Sequence, residues 1–126
     1  MASRKISVYK GDDIGSIVVT IYDEDGTPID ITNDAVYFTV KVNKTDLDVA
    51  AEIGPIKNGL SPNARGTAHS DPTNGETTFN VTHTETWAMS AGTYYYDIQH
   101  VTDADIVTTI VVDEFEVLEE VTDIIT

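Results

Sequence analysis

Three histidines, His69, His83 and His100, are the only imidazoles in the chain, and cysteine is absent. A zinc centre needs three or four converging ligands. No His-x-x-x-His or Glu-x-x-His spacing occurs around these positions, so they are expected as scattered surface or strand-edge residues rather than a metal centre. Carboxylates cluster at Asp12-Asp13, Asp23-Glu24-Asp25, Asp103/Asp105 and Asp113-Glu114. Acidic loops gathered at one end of a domain bind calcium through carboxylates and carbonyls. None of these matches the Asp-x-Asp-x-Asp-Gly loop of an EF-hand, and Asp is common in solvated turns for local hydrogen-bonding reasons. Ser and Thr are plentiful, yet there is no Gly-x-Ser-x-Gly elbow, Walker loop or Gly-x-Gly-x-x-Gly fingerprint. Tyr9, Tyr22, Tyr37, Tyr94, Tyr95, Tyr96 and Trp87 are enough aromatics for a sugar-stacking platform. Their strand positions fit core packing and cross-strand pairing better. The expectation is a non-enzymatic protein with no catalytic residue, cofactor or specific metal.

The elements that position these groups are strands. The chain has 18 Thr, 14 Val and 13 Ile among 126 residues, side chains that fit a pleated sheet better than a helix. One glycine-entered stretch organises the rest, Ala91-Gly92-Thr93-Tyr94-Tyr95-Tyr96-Asp97-Ile98-Gln99-His100. Alternate residues point to opposite faces of a strand. Tyr94, Tyr96, Ile98 and His100 therefore share a core face, while Tyr95, Asp97, Gln99 and Val101 share a half-wet one. Residues 35–43 alternate most cleanly, with Val36, Phe38, Val40 and Val42 inward. In residues 76–82, Thr77, Phe79 and Val81 face the core. Residues 6–10, 14–22 and 106–118 complete the main strands. Residues 14–22, apolar on both faces, are expected in the interior of a sheet. A hairpin is expected from residues 66–70 and 76–82, and one helical turn over residues 83–89, with Trp87 plugging the end of the sandwich. Residues 44–64 form an irregular insertion, longer than the roughly 12–15 residues of ordinary loops, and residues 46–53 within it fit either a short helix or an edge strand. All four prolines are expected between strands, since Pro removes a ladder donor.

These elements predict an all-β, Ig-like, two-sheet antiparallel β-sandwich of about seven to eight strands. It forms a single domain over residues 1–126, with its core over about 6–118 and a C-terminal arm at 119–126. Val36, Phe38, Val40, Phe79, Val81, Tyr94, Tyr96 and Ile98 are the predicted core. Tyr94 is placed as a corner tyrosine, two residues before the position that is Cys in antibody domains and Tyr96 here.

Charge narrows the partners. There are 22 acidic against 7 basic residues, a net charge of −15. Such a surface repels nucleic acid and anionic membrane. It favours basic partners, cation-rich surroundings or a saline habitat, and leaves room for nonspecific cation binding. No apolar run approaches the roughly 18 residues of a membrane span, and the N-terminal stretch lacks the apolar region of a signal peptide. A cytoplasmically made protein is expected.

Several motifs occur together in order. They are Ile6-Ser7-Val8-Tyr9-Lys10-Gly11-Asp12-Asp13, the run from Val19-Thr20 through Asp25-Gly26 and Pro28 to Thr32, the turn Asp71-Pro72-Thr73-Asn74-Gly75, and the tyrosine strand. This set, spanning about residues 6–117, resembles the N-terminal domain of phage baseplate upper proteins and related Ig-like virion proteins. The insertion at 44–64 is longer than that pattern. The resemblance implies a structural component of a tailed virus particle, made in the host cytoplasm and located in the virion, with other virion proteins and copies of itself as partners. The alternative is a host-surface or glycan-binding module on the particle. Free edge strands invite pairing, which puts the assembly contacts at the first and last strands and at both termini, with Ile6, Val8, Ile124 and Ile125 as contact residues.

Overall fold

The computed structural model describes residues 4–59 and 68–119. Ile124 and Ile125 lie outside the described residues, as does the start of the expected hairpin at 66–67. Seven strands are described: β1 Ile6–Tyr9, β2 Ile14–Thr20, β3 Ala35–Lys41, β4 Ile53–Asn58, β5 Glu76–Val81, β6 Gly92–Val101 and β7 Val107–Leu118. A short helix, α1 His83–Trp87, links β5 to β6.

The strands form a five-stranded sheet in the order β1-β7-β6-β3-β4 and a two-stranded sheet of β2 and β5. This is the two-sheet β-sandwich that the alternation predicts. Every pairing is antiparallel except one: β1 runs parallel to β7, with Ile6 opposite Phe115. Strand β2 is not interior. Among the described residues its one ladder is with β5, and the exposed Val18 is a surface residue, not the second face of a buried strand. Strand β4 takes up part of the expected irregular insertion, and Pro55 lies inside it, contrary to the placement of all prolines between strands. The sheet tolerates it because β4 is an edge, where a missing N–H costs no ladder bond. Within the insertion, Asp48–Ala50 is a turn of 3₁₀ helix. Residues 71–76 close through a bridge between Asp71 and Glu76, while β5 takes its ladder from β2.

All eight predicted core residues are buried in one cluster, joined by Ile21, Ile31, Ile53, Phe115 and Val117. The Phe38 ring sits between Phe79, at 5.5 Å, and Tyr96, at 5.6 Å between centroids. Val42 does not join them. Strand β3 ends at Lys41, and Val42 is exposed. One polar tie crosses the core between the sheets: buried Asn58 of β4 donates to Thr77 Oγ1 at 3.1 Å and to the Thr78 carbonyl at 2.7 Å.

The end of the sandwich is built around α1. Thr82 caps the helix, accepting from the Glu85 N–H while the Glu85 carboxylate accepts from the Thr82 N–H, which satisfies two donors that a helix start leaves free. Buried Thr86 donates to the Asp12 carbonyl at 2.8 Å and accepts from the Gly11 N–H at 3.1 Å, tying the helix to the β1–β2 turn. Met89, not Trp87, closes this end: Met89 is fully buried and Trp87 is half-exposed under Lys10. Tyr94 makes the corner bond, its hydroxyl donating to the Ser90 carbonyl at 2.7 Å.

Candidate functional site

The residues with chemical potential fall into three places. The first is a polar knot at the Asp34 turn. His100 Nε2 lies 2.7 Å from Asp34 Oδ2, the Asp103 N–H donates to Asp34 Oδ1 at 3.1 Å, and His69 Nε2 lies 2.8 Å from the Asp34 carbonyl. His100 is buried, in keeping with its place on the core face of β6, while His69 is buried rather than a surface or strand-edge residue as expected. A carbonyl only accepts, so His69 Nε2 carries a proton, and its buried Nδ1 has no partner among the described residues. The knot joins three loops and reads as structure. Among the described residues no group of three or more His, Asp or Glu is placed to hold a metal. The acidic clusters are spent locally. Asp13 accepts from the His83 backbone N–H and side chain, contacts that lower its pKa, and Asp23 accepts from the N–H groups of Asp25 and Thr27 within its own turn.

The second place is the outer face of the five-stranded sheet. In the register of β3, β6 and β7, Asp97 stands between Thr39 on one side and Val112 on the other. A shallow cleft of about 210 Å³ opens here, walled by Thr39, Lys41, Lys44, Tyr95, Asp97 and Val112. Lys41 is already engaged: its ammonium donates to the Asp46 carbonyl and pairs with Asp48, both at 2.8 Å. The Lys44 ammonium lies 5.0 Å from the Tyr95 ring centre and that of Lys57 lies 5.7 Å from Tyr37. Both rings are thus lidded by lysine rather than open for stacking. Asp97 is different. Its carboxylate is half-buried and accepts no hydrogen bond from the described residues. Burial raises its pKa, an effect that the nearby Lys41 opposes and Asp48 reinforces.

The third place is the free side of β7. Strand β1 covers only Phe115 to Leu118, and Arg4 extends that cover to the Asp113 carboxylate, which its N–H reaches at 2.8 Å. Over residues 107–112 no described residue forms a ladder on that side. The edge there reads Val107-Thr108-Thr109-Ile110-Val111-Val112, without charge or proline. Ile106 is 61% exposed, Val107 58% and Val112 49%. Among the described residues the last strand is therefore an edge over its first half only, since its second half lies between β1 and β6. Ile6 and Val8, expected as assembly contacts, turn into the core instead: Val8 is buried and Ile6 packs against the cluster. What β1 offers outward is its backbone and Tyr9.

Neither the protein-family models nor the curated proteins contain a match to this chain.

Sequence reasoning reached the β7 edge but not the cleft. The available signal was a single carboxylate, Asp97, on a strand with no other Asp, Glu, Lys or Arg.

Proposed function

We propose that the chain is a structural subunit of a tailed virus particle, placed at the tail, neck, baseplate or capsid surface, and that it works by protein–protein assembly rather than by catalysis. The observation that carries this reading is the β7 edge over residues 107–112, which forms no outer ladder among the described residues. Proteins that stay free in solution blunt their edge strands with charge, proline, bulges or covering loops. Here six uncharged β-branched residues, five of them exposed, carry a single bulge but neither charge nor proline, in a chain of net charge −15. An edge of this kind supports a role in which it is covered after assembly. The order and spacing of the motifs that resemble phage baseplate upper proteins point the same way. In this reading the protein is made in the host cytoplasm and resides in the virion.

Mass spectrometry of particles purified from cultures carrying the encoding genome tests it. The expected result is the chain at a fixed ratio to the major structural proteins. Purified particles lacking the chain, with the protein recovered only from the soluble lysate, would overturn the reading.

A further inference from the structure

We propose that the cleft on the outer face of the five-stranded sheet binds a single neutral sugar ring, held by the Asp97 carboxylate, the Thr39 hydroxyl and the Lys44 ammonium. The proposal goes beyond the assembly reading and does not depend on it.

The cleft follows from side-chain length. Register sets three rows across the outer face of β3, β6 and β7. Tyr37 and Gln99 stand in one row, Thr39, Asp97 and Val112 in the next, and Lys41 and Tyr95 in the third. Such rows repeat every two residues, about 7 Å apart along the strands. Short side chains therefore floor a trough between two rows of long ones. The walls are set before anything binds: Lys57 lies over Tyr37, Lys44 over Tyr95, and Lys41 is held by Asp46 and Asp48. That reduces the ordering cost of binding. At about 210 Å³ the cleft is below the roughly 300–1,000 Å³ of sites for drug-sized ligands, which suits one ring.

Charge selects a neutral ligand. The ammonium groups of Lys41 and Lys44 line the cleft together with the Asp97 carboxylate. Asp48 pairs with Lys41, and Glu114 stands opposite Tyr95 in the third row. Both signs are present at short range, so a net charge of either sign on the ligand meets a like charge.

Hydrogen bonding selects a sugar. Two hydroxyls on adjacent ring carbons donate to the two oxygens of one carboxylate. A third oxygen accepts from Lys44, and the Thr39 hydroxyl both donates and accepts. The C–H face of the ring covers Val112, which is 49% exposed. Tyr95, lidded by Lys44, serves as a wall and not as a stacking platform. Asp97 is half-buried and Thr39 buried, where a charge-assisted hydrogen bond is stronger than one on an open surface.

The test is a ¹⁵N–¹H NMR titration of the full chain. The probes are glucose, galactose, mannose and N-acetylglucosamine, with glucuronic acid and glucosamine as charged counterparts. At least one neutral sugar is expected to move the amides of Thr39, Tyr95, Asp97 and Val112 saturably, with a Kd on the order of millimolar. Both charged sugars should bind about threefold or more weakly. Asp97→Asn should weaken the neutral sugar about tenfold and Thr39→Val about threefold, with the spectrum of each variant showing that it is folded. The absence of saturable shifts with all four neutral sugars would overturn the proposal. So would shifts that map away from the cleft, tighter binding of either charged sugar, or an affinity unchanged by Asp97→Asn. None of these outcomes bears on whether the chain is present in particles, which mass spectrometry reads without reference to this cleft.

Discussion

The Nε2 of His100 lies 2.7 Å from the Oδ2 of Asp34, a residue 66 positions earlier in the chain, with both side chains nearly buried. Through this contact the β3 entrance holds the end of β6, and the other Asp34 oxygen holds the turn that begins β7.

Asp34→Ala should therefore cost about 2–3 kcal/mol. It strands the buried ring nitrogen of His100 and the Asp103 N–H, and an unsatisfied buried polar group carries its full desolvation penalty. Asp34→Asn keeps an acceptor and a donor in place and should cost less. Urea unfolding of both variants checks this. A loss below about 1 kcal/mol for the alanine variant would mean that water replaces the carboxylate.

Phe38→Ala is expected to cost about 3–5 kcal/mol, because its ring is fully buried between Phe79 and Tyr96 and the two sheets cannot collapse onto the gap. The measurement is again urea unfolding, with the slope checked for constancy. A change within about half a kcal/mol, the size usual for surface substitutions, would contradict the packing described.

Those two positions mark what the sequence made legible. The core face of β3 was readable at Val36, Phe38 and Val40 because burial on one face writes a period of two into the chain. The same held for Tyr94, Tyr96 and Ile98. Strand β4 was hidden because Gly54-Pro55 interrupts its pattern, and an edge strand tolerates that interruption. Strand β2 misled in the opposite sense: Val18 is exposed, and an apolar residue is no proof of a buried face. The Asp34 knot was invisible because it joins residues 34, 69, 100 and 103, which no local period relates. Asp97 was readable as outward-facing, but its lack of a donor depends on where Lys41 and Lys44 spend their charges.

Ionic strength should stabilise the fold. With 22 acidic and 7 basic residues, repulsion among like charges acts against the compact state, and salt screens it over a Debye length of about 10 Å at 0.1 M. The melting temperature should rise as NaCl is added from low concentration. A flat response would mean that the carboxylates are spaced too widely, or neutralised too well by local hydrogen bonds, to repel one another.

Asp97→Asn should make the isolated domain more stable at pH 7. Burial raises the carboxyl pKa of Asp97 above 3.8, its ordinary value. In the pH window between 3.8 and the raised folded value, the folded chain binds more protons at this site than the unfolded chain does. Stability therefore falls as pH rises through that window, and above it the ionised group is a net cost. Asparagine has nearly the same shape and carries no charge, so it removes the cost. Below pH 3.8 Asp97 is protonated in both states and the advantage of the variant should vanish. Asp13, Asp30 and Asp113 work in the opposite direction, since hydrogen bonds to their carboxylates lower their pKa values and their stabilisation is lost on acidification. They are common to both proteins, so comparing variant with parent isolates Asp97. Urea midpoints measured at pH 7 and below pH 3.8 decide the matter. A parent more stable than the variant at pH 7 would show that Lys41 holds the carboxylate as an ion pair within the domain.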